Sequence, residues 1–273
     1  MAVEIYIEPG RAEKNYWKDL WRYRELFYIL SWRDLKVRYK QTFIGVAWSV
    51  LRPLLTMLVF TFVFSRIVDN TLDVPYGLLV FAGLLPWQFF ANGLSEASNS
   101  LVGNERLISK VYFPRLIIPA ASVITSMVDF FISLGLMALL MVWYGTTPSW
   151  QVIFLPFFIL MAFAASFGAG LWLTALNVKY RDFKYVVPFI VQLGMYISPV
   201  GFTSQQFVPE KYQALYHLNP IAGVIDGFRW CIFGDRVQIS WTPVLVSLAV
   251  TIFLVIIGVT TFRRMEKHFA DLI

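Results

Sequence analysis

The 273 residues are 58% hydrophobic and 18% aromatic, with only 15% charged. That is too apolar for an ordinary soluble domain and predicts an all-α polytopic membrane protein. The net charge of +6 then reads as basic residues gathered on the cytoplasmic side of a bilayer, not as a nucleic-acid surface. A single cysteine, Cys231, excludes an internal disulfide framework.

In chain order, the first forty residues are polar and charged instead of a short apolar run with a small-residue cleavage site, so no cleavable signal peptide is expected. Within them, residues 17–40 have helical spacing. Tyr28, Trp32, Leu35 and Tyr39 recur at steps of four, three and four, and Arg33, Lys36 and Lys40 form an adjacent strip. An aromatic face beside a basic one predicts a helix lying in the membrane interface, its cations reaching lipid phosphates. Two roles are compatible with it: an anchor that only sets topology, or the wall of an access route for an amphiphile with an anionic head.

Hydropathy predicts six transmembrane spans, at about 43–65, 76–98, 115–143, 151–177, 185–200 and 241–262. The fifth is short and flanked by Pro188 and Pro199. Basic residues cluster in the N-terminal segment (Arg11, Lys14 and Lys18 onward), between the second and third spans (Arg106, Lys110, Arg115), after the fourth (Lys179, Arg181, Lys184) and at the C-terminus (Arg263, Arg264, Lys267). The other side holds only Arg66, Lys211, Arg229 and Arg236. The positive-inside rule places both termini in the cytoplasm. Arg52, deep in the first span and directly before Pro53, either snorkels to the headgroups or faces a cavity, with Glu96 and Asp129 as its internal candidates. Ala164 with Gly168, and Ala165 with Ala169, have small-xxx-small spacing and predict close helix packing in the fourth span.

Two connections stand out. Residues 98–119 hold a short helix that keeps Leu107, Ile108, Val111 and Tyr112 among charges, which suggests docking onto a protein. Residues 201–240 form the only long connection on the opposite side. Within it, residues 217–234 are apolar, yet carry Asp226 and Arg229 and are too short between breakers to span. Short re-entrant or periplasmic helices are predicted there.

No catalytic or metal-binding constellation is legible. His217 and His268 are the only histidines, and there is no HExxH, no CxxC and no Walker A loop. ATP hydrolysis is therefore not intrinsic, and no cofactor is expected on this chain; if the chain drives transport, the energy comes from another subunit. The broken, paired helices of secondary transporters are missing too, which argues against proton or sodium coupling. A membrane enzyme of glycan assembly would need clustered carboxylates at one face, and Glu210, Asp226 and Asp235 are scattered.

Three stretches carry a family resemblance: RDLKVRYKQTFIGVAWSVLRPLL (33–55), GLLPWQFFANGLSEASNSLVGNERLISKVYFPRLIIP (83–119) and ISPVGFTSQQFVPEKYQALYHLNPIAGVIDGFRW (197–230). With them the chain resembles the membrane subunit of ABC-2-type polysaccharide exporters, in particular the Wzm-like permeases for lipid-linked O-antigen; capsule and wall teichoic acid permeases are sister families. The resemblance implies a bacterial inner-membrane homodimer working on an undecaprenyl-diphosphate-linked polysaccharide with two copies of a separate ATPase, which would hold the ATP and Mg. Residues 1–40 would be the cytoplasmic tail and interfacial gate helix, and 41–273 the transmembrane domain. A coupling helix near 99–112 would seat Asn104, Glu105, Arg106, Leu107, Ile108, Lys110 and Tyr112 in the ATPase. Arg33, Lys36, Lys40 and Arg52 would stand where the lipid headgroup enters. Spans one and five would line the sugar channel with two helical faces, Trp48, Arg52, Thr56 and Phe60, and Tyr185, Phe189, Gln192 and Tyr196. The segment near 201–240 would close the periplasmic mouth.

Overall fold

A computed structural model describes residues 16–40, 45–65 and 72–269. Arg11, Lys14 and Arg66, used above to set topology, lie outside the described residues. The elements are α1 (Tyr16–Arg22), α2 (Arg24–Lys40), α3 (Gly45–Phe64), α4 (Tyr76–Gly103), α5 (Glu105–Ile108), α6 (Ile117–Trp143), α7 (Leu155–Lys179), α8 (Phe183–Ile197), α9 (Ser204–Phe207), α10 (Glu210–Tyr216), α11 (Pro220–Phe233) and α12 (Trp241–Met265). No strand occurs among the described residues. Five helices are long and apolar enough to cross a bilayer: α3, α4, α6, α7 with its leading 3-10 turn, and α12. The predicted fifth span is α8, 15 residues with Pro188 inside, shorter than the roughly 20 residues a perpendicular crossing takes.

The centre of the bundle is α4, which packs on α6, α7, α3 and α11; α12 closes the outside of α7. Small residues let these helices approach. A Cβ on Gly168 of α7 would lie 2.6 Å from the backbone nitrogen of Val255 in α12, and one on Gly258 would overlap the Gly168 carbonyl. The small-residue pattern read from the fourth span thus marks real backbone contact. The α4–α7 seam adds polar ties that suit a lipid environment, where each freed backbone group needs a partner. Thr174 donates to the Ala97 carbonyl at 2.8 Å, and the Asn177 amide to the Ser98 carbonyl at 2.8 Å.

At one end of the bundle α11 is almost wholly buried. Asn219 caps it by accepting from the Ile221 N–H at 3.2 Å, Pro220 opens it, and Gly234 ends it at φ 61°. Those breakers confine it to 14 residues, so the segment does form a short helix between the last two apolar helices. Its charges are satisfied internally. Arg229, with no exposed surface, donates to the carbonyls of Leu79 (3.1 Å), Val200 (2.7 Å) and Phe202 (2.6 Å). Gly83 leaves room for that guanidinium, since a Cβ there would lie 2.6 Å from it. Asp226 pairs with His217 at 3.0 Å.

At the other end, α1 is pinned to the bundle. The Arg263 guanidinium lies 3.3 Å from the Tyr16 ring centre, and the Tyr16 hydroxyl donates to Glu266 at 3.2 Å. The same carboxylate accepts from the Arg115 N–H at 2.9 Å. Tyr16 is buried with Leu30, Ile108, Phe113 and Phe262, so the helix pair α1–α2, the segment before α6 and the end of α12 share one apolar cluster.

Candidate functional site: a polar cavity beneath the N-terminal helices

The 17 residues of α2 run along α6 and touch α3. Their aromatic face divides. Tyr28 and Trp32 stay exposed, stacked 6.5 Å apart, while Leu35 and Tyr39 turn partly inward. Beneath this helix, between α2, α3, α4 and α6, lies an open cavity of about 310 Å³.

Arg38 organises its mouth. The guanidinium spans two helices, meeting Asp129 of α6 at 2.6 Å and Glu96 of α4 at 2.7 Å, and the Tyr39 hydroxyl also donates to Asp129. Burial, and then the hydrogen bond to that carboxylate, hold the Tyr39 phenol well above the ordinary tyrosine range. The two acids proposed for Arg52 are thus both taken by Arg38. The reason is tertiary: α2 folds back along α6 and brings its own arginine to them. Arg52 is exposed to the same cavity without an ion pair among the described residues. Pro53, next to it, has no N–H for the Ser49 carbonyl one turn back, and the Ser133 hydroxyl donates to that carbonyl instead at 3.3 Å. The helix is stitched to α6 where its own ladder is broken.

The other sequence-derived headgroup residues stand elsewhere. Arg33 is shared between Asp34 (2.7 Å) and the Asn104 side chain (2.9 Å). Lys36 lies 5.3 Å from the Trp32 ring centre, and Lys40 is exposed. None of these three lines the cavity. The cavity wall also contains residues that the sequence reading passed over: Arg38, Gln88 and Asn92. Gln88, Asn92 and Glu96 recur every four residues along a transmembrane helix, and that spacing was the signal available.

The segment 104–112 adjoins this region. Asn104 ends α4, its amide donating to the Ser100 carbonyl at 2.8 Å, and α5 follows as a single turn. Glu105, Arg106, Lys110 and Tyr112 are exposed and Leu107 is half-buried, whereas Ile108 is 5% exposed and sits in the apolar cluster. Ile108 therefore anchors the segment, and its neighbours present a charged surface.

Of the two faces assigned to a channel, the one on α8 is open: Tyr185 is 76% exposed, Phe189 61% and Tyr196 60%, with Gln192 exposed beside them. On α3 the face splits. Trp48 is exposed to the cavity, Thr56 donates to the Arg52 carbonyl at 2.8 Å, and Phe60 is buried against Phe64.

A bundle of apolar helices with a charged, aromatic helix pair packed against it and a polar cavity beneath that pair defines a multi-pass membrane protein. Residues 25–233 match the ABC-2 type transporter family, and the chain belongs to that family. It is 29% identical over 256 residues to the O-antigen export system permease protein RfbA of Myxococcus xanthus, covering 93% of this chain and 97% of that one. A Klebsiella pneumoniae protein of the same name is 28% identical over 91% of this chain and 95% of its own length. The polysialic acid transport protein KpsM of Escherichia coli is 20% identical over 86% of this chain and 91% of that one.

Proposed function

We propose that this chain is the membrane-spanning permease subunit, not an enzyme, of an ATP-driven exporter that moves an undecaprenyl-diphosphate-linked polysaccharide, O-antigen, across the bacterial inner membrane. The observation that carries this reading is likeness along more than nine-tenths of both chains to proteins named O-antigen export permeases. The more distant likeness to a polysialic acid transport protein favours capsular polysaccharide as the second reading.

In this proposal two copies assemble with two ATPase subunits, and both termini are cytoplasmic. Glu105, Arg106, Lys110 and Tyr112, with Asn104 and Leu107 behind them, dock on the ATPase over the anchor made by Ile108. The lipid headgroup approaches along the basic flank of α2, Arg33, Lys36 and Lys40, and reaches Arg52 in the cavity. Having no carboxylate partner among the described residues, Arg52 is the cation that takes a phosphate oxygen. The exposed aromatic face Tyr185, Phe189, Gln192 and Tyr196, with Trp48, Thr56 and Phe60 on α3, lines the sugar path. Rings stack on sugars without demanding one hydrogen-bond pattern, and weak contacts suit a sliding polymer. The short helices in 201–240 close the periplasmic mouth.

The test is purification of the tagged chain from its own membranes in gentle detergent, with native mass spectrometry. A Walker-A-containing protein at one copy per permease, lost on Glu105→Lys with Arg106→Glu, is the expected result. Cells lacking the chain should accumulate lipid-linked polymer on the cytoplasmic side. A chain that comes out alone while other membrane complexes survive the same extraction would remove the ATP-driven reading.

A further inference from the structure

The charges at the cavity do not suit a diphosphate by itself. Arg38 and Arg52 bring two cations, and Glu96 and Asp129 bring two carboxylates. The lining is therefore balanced, two against two. An anion with nothing else attached would meet two carboxylates already holding the better-placed arginine. A ligand that is mostly neutral and polar, with one anionic end, meets no such conflict.

The wall supplies groups for such a ligand. Gln88 and Asn92 are half-buried on one stripe of α4, at the middle of a helix 28 residues long whose first half is apolar. Their amides line the cavity, and neither makes a hydrogen bond to another described residue. Polar side chains inside a membrane span are costly unless they face a partner or a wet cavity, and they mark substrate pathways. Each amide offers two donors and an acceptor on adjacent atoms, which matches a pair of neighbouring hydroxyls. Across the cavity Trp48, 55% exposed, provides a flat apolar face, and Arg52 stands one helical turn from it. An exposed ring, two amides and an arginine, the amides and the arginine without a partner among the described residues, surround about 310 Å³, at the lower end of the range typical of small-molecule sites.

We propose that this cavity is a glycosyl-phosphate subsite. It takes the sugar ring directly attached to the diphosphate, with Gln88 and Asn92 bonded to sugar hydroxyls, Trp48 stacked on the ring and Arg52 on the adjoining phosphate. It rests on the exporter reading above and deepens it. The permease then distinguishes a lipid carrying its glycan from the bare lipid diphosphate left after release.

The experiment measures binding to the full-length chain in lipid nanodiscs. The probes are farnesyl diphosphate and the same lipid carrying one glucose, galactose or N-acetylglucosamine. At least one glycosylated probe should bind about ten-fold tighter than the bare diphosphate, the yield of one or two well-made hydrogen bonds. Gln88→Leu and Asn92→Leu should each remove most of that gain and leave farnesyl diphosphate affinity unchanged, whereas Arg52→Gln should weaken every probe. The leucine variants should also melt at or above the wild-type temperature, because a purely structural pair of amides would lose stability on replacement. Equal affinity for all probes, or leucine variants that keep the gain, overturns the proposal and leaves the phosphate contact at Arg52 without a sugar subsite. Failure of wild type to bind any of the probes is a different outcome: it removes the headgroup reading, and the sugar subsite falls with it.

Discussion

The helices α3 and α4 are both apolar enough to cross a bilayer, yet 17% of the most apolar stretch is buried in α3 and 83% in α4. One is a face of the molecule and the other its axis. Apolar character sends both into the bilayer, where lipid tails are as apolar as any neighbouring helix, so hydrophobicity alone does not choose which helix becomes the core. What separates them is fine texture. Around α4 lie the small residues and hydroxyls that allow close approach and backbone capture, such as Gly93 against Ser166 and Thr174 against the Ala97 carbonyl. Large exposed side chains dominate α3, among them Leu55, Leu58, Val59 and Phe62. A surface of that kind suits lipid or a second protein.

The contrast can be broken most forcefully at Arg229. Arg229→Ala would orphan three buried carbonyls that now tie α11 and residues 200–202 to α4. A loss of about 3 kcal/mol or more is expected, at roughly 1–3 kcal/mol for each acceptor left without a donor, read as a large drop in melting temperature of the detergent-solubilised chain. Next, Gly168→Leu would force α7 and α12 apart at a cost of about 1–3 kcal/mol or more. The same measurement on Leu58→Ala, on the exposed side of α3, should move stability by less than about 0.5 kcal/mol. Equal effects at the two sites would contradict the division into axis and face.

A smaller effect sharpens the picture at the cavity. Arg38, Glu96 and Asp129 are all partly exposed, so the Arg38–Asp129 pair should show a coupling of only about 1 kcal/mol in a double-mutant cycle of Arg38→Gln with Asp129→Asn. The least is expected from alkali. Because the Tyr39 phenol is held above its ordinary range by burial and by Asp129, its contribution is complete below the unfolded-chain value near 10 and is lost only as pH rises beyond it. The absorbance titration of wild type minus that of Tyr39→Phe should show the one missing phenol ionising late; a difference centred near the ordinary value of about 10 would mean that α2 leaves α6 in solution.

Much of the organisation was legible from local pattern. The aromatic and basic strips of 17–40, the breakers Asn219, Pro220 and Gly234 around α11, and Ala165, Gly168 and Ala169 in the fourth span each act through neighbours three or four residues away, which a linear reading captures. The candidate site was legible only in part. Arg52 was singled out because a cation inside an apolar run is conspicuous by itself. Arg38 was not, since it is one of many basic residues in its segment; its importance comes from Asp129, 91 positions away. Gln88 and Asn92, being uncharged, do not stand out in a span as an ion does, and only their spacing puts them on one stripe.

The chain's composition and periodicity thus suffice for an all-helical membrane protein with a charged, aromatic N-terminal helix, a charged connection after α4 and a short helix before α12. Those properties depend on transfer to lipid and on hydrogen bonds made within a turn. Which arginine holds the acids, which helix forms the axis and where two amides are left without partners depend on contacts between distant segments. Such contacts are set by the packing of all the helices together, so they appear only once the bundle is assembled.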